Sequence, residues 1–330
     1  MEEKIADMLA QYDLKVYRAG RVKGSWILET DRGLKNLGSC AYSEGKVKFE
    51  QKVKQFAAEQ GFAELDLYIP NREQNFLVQG PYNEWFVMKN WFYGEECNAY
   101  DFKQVLDTVA TLARLHNCME GLKLTEEEKG FCLQPKLPEV LERRNKELRR
   151  VRTYIRSKKQ KNTFEQNFLT QFDSLYSCAE QTARQLDLSD YEKYYNEKVA
   201  KGSMLHGNFT HHSVLLLGDN RMAVTGFDKA VTGIQVQDFY LLFRKMMEKW
   251  EWDITLGEEM LREYHSIHPM TEMDRKLLYL MLSYPEKFWK VANQYYNNRK
   301  SWIPEKNMQK LLQTMEQAEK KSASLKYLFT

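Results

Sequence analysis

The chain has 330 residues, 43% apolar and 29% charged, with a net charge of +3. Its length and its 17 Phe, 19 Tyr and 7 Trp suffice for sizeable cores in two lobes. The nearly balanced charge, with no basic block interleaved with aromatics, excludes a chain built to track nucleic acid. No run approaches the roughly 20 apolar residues of a membrane span. The start, "MEEKIADMLAQYDL", is acidic and amphipathic and lacks the basic head and apolar core of a signal peptide, so synthesis and folding in the cytoplasm are expected. Five cysteines (Cys40, Cys97, Cys118, Cys132, Cys178) are scattered without C-x-x-C spacing. That pattern argues against zinc or disulfide frameworks and for reduced, mostly structural thiols.

In chain order, residues 1–12 read as a short helix. "LKVYRAG", "SWILET" and "LKNLGSC" read as strands with turns at "GRVKG" and "TDRG". Apolar residues at helical spacing (Val47, Phe49, Val53, Phe56, Ala57) predict a helix ending at Gly61. "ELDLYIP", "NFLVQG" and "EWFVMKN" follow as strands, so residues 1–90 form a small antiparallel β-rich lobe. "NWFYGEECN" breaks the pattern, and a hinge is placed at 91–100. The remainder, 101–330, reads as a helical lobe, with helices over "AYDFKQVLDTVATLARLHNCM", "PEVLERRNKELRRVRTYIRSKKQKN" and "TFEQNFLTQFDSLYSCAEQTARQL". A strand-rich segment occupies 203–230, and helices follow near 236–250, 255–264, 272–284, 286–297 and 303–320. The second long helix is densely basic from Arg143 to Lys159; a solvated face and a docking surface for an acidic partner both fit it.

The segment "SMLHGNFTHHSVLLL" carries the chemistry question: a strand, His-Gly, a short excursion, then another apolar strand. The block "LHGNFTHHSVLLLGDNRMAVTGFDKA" resembles the catalytic segment of the aminoglycoside phosphotransferase and choline kinase branch. That segment reads His-Gly-Asp, four residues, Asn, then about a dozen residues to an Asp after an apolar strand. "ATLARLHN" resembles the helix before that loop. A closer resemblance is to the CotS-type spore-coat proteins of endospore-forming bacteria, a kinase-like family within that branch. "ILETDRGLKNL" resembles its third-strand region, "EWFVMKNWFYGEECN" its hinge, and "TGIQVQDFYLLFRKMMEKW" the segment after its metal loop. The resemblance spans most of residues 10–320. It implies an α+β, two-lobed protein-kinase-like (aminoglycoside phosphotransferase-like) fold, with a small antiparallel β N-lobe and a larger helical C-lobe.

Kinase chemistry needs a carboxylate base, an amide and a carboxylate for magnesium, and a lysine for the nucleotide phosphates. Asn208 stands at the base position, where its amide hydrogen-bonds but accepts no proton. Loss of a general base alone costs about 10²–10⁴ in rate. Ser213 stands at the amide-ligand position and Gly226 at the main metal carboxylate. Gly38 stands where the phosphate-binding lysine belongs, with Lys35 or Lys46 as the alternatives if the register differs. By resemblance the nucleotide cleft and hinge would use Lys35, Lys89, Asn90 and Trp91, and a degenerate metal site would use Asp228 and Ser213. Asp228 also reads as a turn cap, and both readings stay open. His212 could act as ligand or base, but imidazole suits magnesium poorly, and the adjacent His211 and His212 have no evident third ligand. His116 reads as a core or loop histidine. His206, Gly207 and Asp238 are shape-keeping, with Asp238 bracing the loop from the next helix.

These readings point to a spore-coat pseudokinase that acts by protein–protein interaction, with spore coat proteins as partners and mother cell, then spore coat, as its location. The alternatives are a divergent ATP-dependent phosphotransferase acting on a small-molecule or protein hydroxyl, or a nucleotide-binding switch without turnover. ATP and magnesium come into view only through the resemblance, and no cofactor is assigned. A small-molecule ligand in the inter-lobe cleft stays open. Trp26, Tyr42 and Phe227 are the side chains placed to fill that cleft.

Overall fold

The computed structural model describes residues 3–219, 221–297 and 305–329. The chain divides into two compact units. One comprises residues 1–133 and 198–241, the other residues 134–197 and 242–330. The division expected near residue 90 marks a change in secondary-structure content, whereas the compact units follow packing.

The first unit opens with α1 (Glu3–Leu9); the first two residues of the helix expected there lie outside the described residues. Strands β1 (Val16–Val22), β2 (Ser25–Thr30) and β3 (Gly33–Ser39) come next, then α2 (Glu44–Glu59), β4 (Tyr68–Ile69), β5 (Leu77–Gln79) and β6 (Trp85–Asn90). The sheet runs β1-β2-β3-β6-β4, with β5 also on β6, and these pairs are antiparallel. Lys23 and Gly24, both at positive φ, form the two-residue turn between β1 and β2, whose twist suits a tight hairpin. Alternation gives the sheet two faces. Leu28, Leu37, Val78 and Met88 pack with Ile5, Met8 and Tyr12, while Tyr68 and Val87 pack with Val47 of α2. Ser43 starts α2 by accepting a hydrogen bond from the Lys46 N–H.

Strand β7 (Glu95–Glu96) lies within the segment 91–100 where a hinge was expected, and α3 (Phe102–Cys118) follows. Asp101 caps α3, and Val105, Val109, Leu112 and His116 lie on its buried face. A one-turn helix, α4 (Glu126–Gly130), opens with a capping box between Thr125 and Glu128; the apolar periodicity gave no sign of it because none of its residues is buried. The chain returns to this unit at the end of α7 (Tyr191–Ala200). Short strands then frame the loops of interest: β8 (Met204–Leu205), β9 (Val214–Gly218), β10 (Arg221–Val224) and β11 (Val231–Thr232). β9 pairs with β7 and β10, and β11 with β8. Helix α8 (Val236–Lys249) begins in this unit.

The second unit is helical. It contains α5 (Leu137–Ser157), α6 (Thr163–Asp187), most of α7, the rest of α8, and α9 (Ile254–Ile267), α10 (Glu272–Ser283), α11 (Glu286–Asn297), α12 (Glu305–Glu316) and α13 (Ala318–Phe329). Its aromatic core joins α5, α6, α11 and α12 through Leu148, Ile155, Phe164, Phe168, Phe172, Phe288 and Leu311. Phe168 stacks on Phe288 at 4.8 Å between ring centres. The single helix expected near 303–320 is two helices meeting at Gln317, whose side chain donates to the Glu248 carbonyl; residues 303 and 304 lie outside the described residues. Among the described residues no helix is long and apolar enough to cross a membrane.

Candidate functional site

The loop between β8 and β9 holds its shape through one carboxylate. Asp238, buried in the first turn of α8, accepts the His206 N–H at 2.6 Å on one oxygen and the Gly207 N–H at 2.9 Å on the other. His116, on the buried face of α3, places Nε2 3.4 Å from the same carboxylate. His206 is fully buried between Phe209 and Phe227; its Nε2 lies 3.0 Å from the Thr225 carbonyl and its Nδ1 3.3 Å from the Asn208 N–H. A carbonyl only accepts and an N–H only donates, so these partners call for the Nε2-protonated tautomer. Gly207 has φ +80°, and a Cβ there would sit 2.0 Å from the Lys229 carbonyl oxygen, so only glycine fits. Residues from α3, from α8 and from the segment 225–229 thus converge on one bent loop.

The positions that would carry chemistry are arranged differently. Asn208 is exposed, and its carbonyl accepts from the Ser213 hydroxyl at 3.4 Å. That turns the hydroxyl back into its own loop. Gly226 has φ +87°, and its N–H lies 3.3 Å from an Asp66 carboxylate oxygen. Asp228 is half-buried, accepts from the Tyr42 hydroxyl at 2.9 Å and lies 3.8 Å from the Lys229 ammonium. Burial, then the bond to Asp228, raises the pKa of the Tyr42 phenol. His212 is exposed and pairs through Nδ1 with Glu96 at 2.7 Å. Hydrogen bonds from Lys23 and His212 hold the Glu96 carboxyl below the usual carboxylate range. His211, beside it, is buried.

Lys35, Lys89, Asn90 and Trp91 do not share a surface. Lys35 lies two residues before Leu37 and on the same side of β3, the side packed with α1; its ammonium bonds the Arg32 carbonyl. Burial, then the nearby Arg32, lowers its pKa. Asn90 pairs with Lys35 across the strands, and the Trp91 N–H bonds the Leu34 carbonyl at 3.0 Å. Lys46 reaches the Ala230 carbonyl at 3.3 Å instead. Of the side chains placed to fill the cleft, Trp26 packs on the α1 side of the sheet, Phe227 is fully buried against His206, and Tyr42 reaches Asp228.

Lys89 faces α2 and enters a buried ionic cluster. Its ammonium lies 3.1 Å from Glu50 and 3.2 Å from Asp66; Lys54 lies 3.0 Å from Glu50 and 3.5 Å from Asp66. The Tyr68 hydroxyl donates to the second Glu50 oxygen at 2.7 Å. Burial opposes ionisation of Glu50, but the two lysines outweigh it and hold the carboxyl well below its usual range. Burial likewise works against the Lys89 cation, and Asp66 and Glu50 override it to raise its pKa. Lys54, the more enclosed of the two, is lowered by burial. Two carboxylates meet two ammoniums, so the cluster is neutral within itself.

This donor set does not fit a magnesium nucleotide. Magnesium asks for near-octahedral oxygen coordination, yet the three positions offer an exposed carboxamide, a hydroxyl turned inward and no side chain. The carboxylate at Gly226 is Asp66, already matched by lysines.

A family model described as "Spore coat putative kinase YutH" matches residues 6–328. The chain belongs to this family. It is similar to spore coat protein S of Bacillus subtilis (strain 168), 23% identical over 314 residues covering 92% of this chain and 88% of that protein. Among solved structures it is similar to an aminoglycoside phosphotransferase from Alicyclobacillus acidocaldarius, with a TM-score of 0.86 at 18% identity over 97% of this chain and 93% of that one. It is also similar to the spectinomycin phosphotransferase APH(9)-Ia solved with ADP and spectinomycin, with a TM-score of 0.68 at 9% identity over 98% of each chain. The aminoglycoside phosphotransferase-like kinase fold that the resemblance implied is therefore the fold of this YutH-family chain.

The residues that sequence reading passed over are Glu50, Lys54 and Asp66. A signal was present: Val47, Glu50, Lys54 and Ala57 lie on one stripe of α2, and both charged members are buried with the apolar ones. Opposite charges four residues apart inside a buried stripe call for further partners.

Proposed function

We propose that this YutH-family chain is a pseudokinase of the spore coat, binding coat proteins rather than transferring phosphate. The carrying observation is the contrast at Gly226. Where a metal carboxylate is expected there is a backbone N–H, and it is directed at Asp66, whose charge Lys89 and Lys54 already balance. A cation recruited to the Asp66 carboxylate would have to displace those lysines, leaving buried charges unpaired, which costs about 3–5 kcal/mol. The loop brace at Asp238 preserves a shape that a partner can read without catalysis.

The basic face of α5 supports a role in assembly. Lys146, Arg149, Arg150 and Tyr154, with Tyr296 of α11, line an open basic cleft suited to an acidic partner. The location follows the family and its spore coat relative.

Purified protein with ATP and magnesium or manganese should show neither turnover nor thermal stabilisation. A nucleotide binder would gain about 2.7 kcal/mol at a hundredfold excess over its dissociation constant. Stabilisation without turnover would identify a nucleotide switch, and turnover at ordinary kinase rates would make the protein an enzyme.

A further inference from the structure

The second unit contains a cavity of about 430 Å³, bounded by α6, α8, the α10–α11 junction, α12 and α13. That volume lies in the range of small-molecule sites. Leu175, Trp252, Tyr279, Pro285 and Leu325 give it apolar walls.

Its charges are unequal. Glu286, buried at the start of α11, faces Lys290 at 2.6 Å, Arg144 at 3.6 Å and Arg244 at 3.7 Å. Burial opposes the Glu286 charge, yet these cations draw the carboxyl down to about 2. Glu248 pairs with Arg244 at 2.7 Å and with Lys287 at 3.9 Å. Both carboxylates are thus committed to other cations. Lys321 of α13 lines the same cavity and is held differently. Its ammonium bonds the Tyr284 carbonyl at 3.4 Å and lies 5.3 Å from the centre of the Trp252 ring. Among the described residues no carboxylate comes within 4.0 Å of it. Cys178 of α6, Arg244 and Glu248 of α8, Tyr279 of α10, Tyr284, Glu286 and Lys287 at the α10–α11 junction and Lys326 of α13 are the other ionisable groups that line it.

We propose that this cavity binds a small organic anion with an apolar body, its carboxylate on Lys321 and its body against Trp252, Leu175 and Leu325. A cation beside apolar walls and without its own counter-charge gains more from an incoming anion than a paired one does. The walls exclude a bare inorganic ion as the best occupant, because apolar surface is left wet beside it. Burial lowers the Lys321 pKa to about 8, so anion binding raises it again. Affinity is therefore full below pH 8 and declines above it, as the free protein loses the proton that the bound form keeps.

Calorimetric titration of the full chain with 2-naphthoate at pH 7 and pH 9.5 tests this, with neutral 2-naphthamide and inorganic phosphate as companions. Naphthoate is expected to bind about tenfold or more tighter than the amide or phosphate and to weaken at pH 9.5. Lys321→Met should lose that preference and Lys321→Arg should keep it. Equal binding of acid and amide, tighter binding of phosphate, no binding of naphthoate at millimolar concentration, or an unaltered preference in Lys321→Met overturns the proposal. If Lys321→Met does not fold, the acid–amide comparison on the wild-type chain decides by itself.

Discussion

Two halves of one loop obey different rules. From His206 to Gly207 the backbone is held by the Asp238 carboxylate, with His116 beside it, and a glycine fits where no other residue would. At Asn208 and His212 the side chains are exposed, the Ser213 hydroxyl turns back on its own loop, and nearby Gly226 contributes only an N–H. The first half depends on buried, directional bonds, so almost any change there disturbs the fold. The Asn208 and Ser213 side chains carry little structural burden, so these two positions are free to change without unfolding the chain. The contrast shows that a catalytic framework and its catalytic groups are physically separable. The framework is kept by packing and hydrogen bonding, whereas the groups are kept only by chemistry that needs them.

The most disruptive test of this contrast is Gly207→Ala. The new methyl group would lie 2.0 Å from the Lys229 oxygen at a backbone φ of +80°. A clash with backbone has no side chain to yield, so the loss should reach at least about 4 kcal/mol. Urea unfolding followed by fluorescence would report it. A variant within 1 kcal/mol of wild type would mean that the loop is not built as described.

Next comes Glu50→Gln, which probes the cluster beside Gly226. It leaves Lys54 and Lys89 buried with one carboxylate between them, at an expected cost of about 3 kcal/mol. The pH dependence gives an independent sign. The carboxyl of Glu50 is held from its ordinary 4.5 down to about 2. Its contribution to stability is therefore complete above about pH 4.5 and is lost as the pH falls toward 2. The acid limb of the stability curve should be shallower in Glu50→Gln than in wild type. Identical limbs would show that this group is not ionised in the fold.

Gly226→Ala should cost less, about 1–2 kcal/mol, and for a different reason. No atom lies within 4 Å of the added Cβ, so the penalty is purely that of the left-handed backbone at φ +87°. The same strain opposes any attempt to reinstall a metal carboxylate at this position. Differential scanning calorimetry of Gly226→Ala beside Gly207→Ala separates backbone strain from steric clash, and equal losses would refute that separation.

How far these halves were legible in sequence follows from what each element rests on. The kinase-like fold was legible through the resemblance of the block around His206, Gly207, Ser213 and Gly226 to the catalytic segment of aminoglycoside phosphotransferases, not through any periodicity of its own. Helices with a wide apolar face, such as α3 and α6, were readable from their 3.6-residue period. Helix α7 escaped because it buries only Tyr191 and is otherwise charged and aromatic around its circumference. The break between α12 and α13 escaped because helical periodicity continues across Gln317, and a hydrogen bond from its side chain to the Glu248 carbonyl marks the junction. Lys35 lies on the α1 side of the sheet for a simple reason of parity. One residue along a strand reverses the face, and the strand that faces α2 with a lysine is β6, not β3.

The gentlest test places a carboxylate at residue 208 and asks whether anything happens. Asn208 is exposed, and its side chain is nearly isosteric with aspartate, so Asn208→Asp should alter stability by no more than about 0.5 kcal/mol. The carboxylate would enter a loop whose neighbouring hydroxyl, Ser213, still points to the residue 208 carbonyl, and where Gly226 still supplies no oxygen. A base without metal ligands has no activated phosphate to work on, since in this chemistry the groups act as a unit rather than additively. Radiometric assay of the variant with ATP and magnesium should therefore match the wild-type background. A gain of a hundredfold or more would show that the second half of the loop is one residue from catalysis, and that Asp228 or Asp66 serves as a metal ligand despite its present partners.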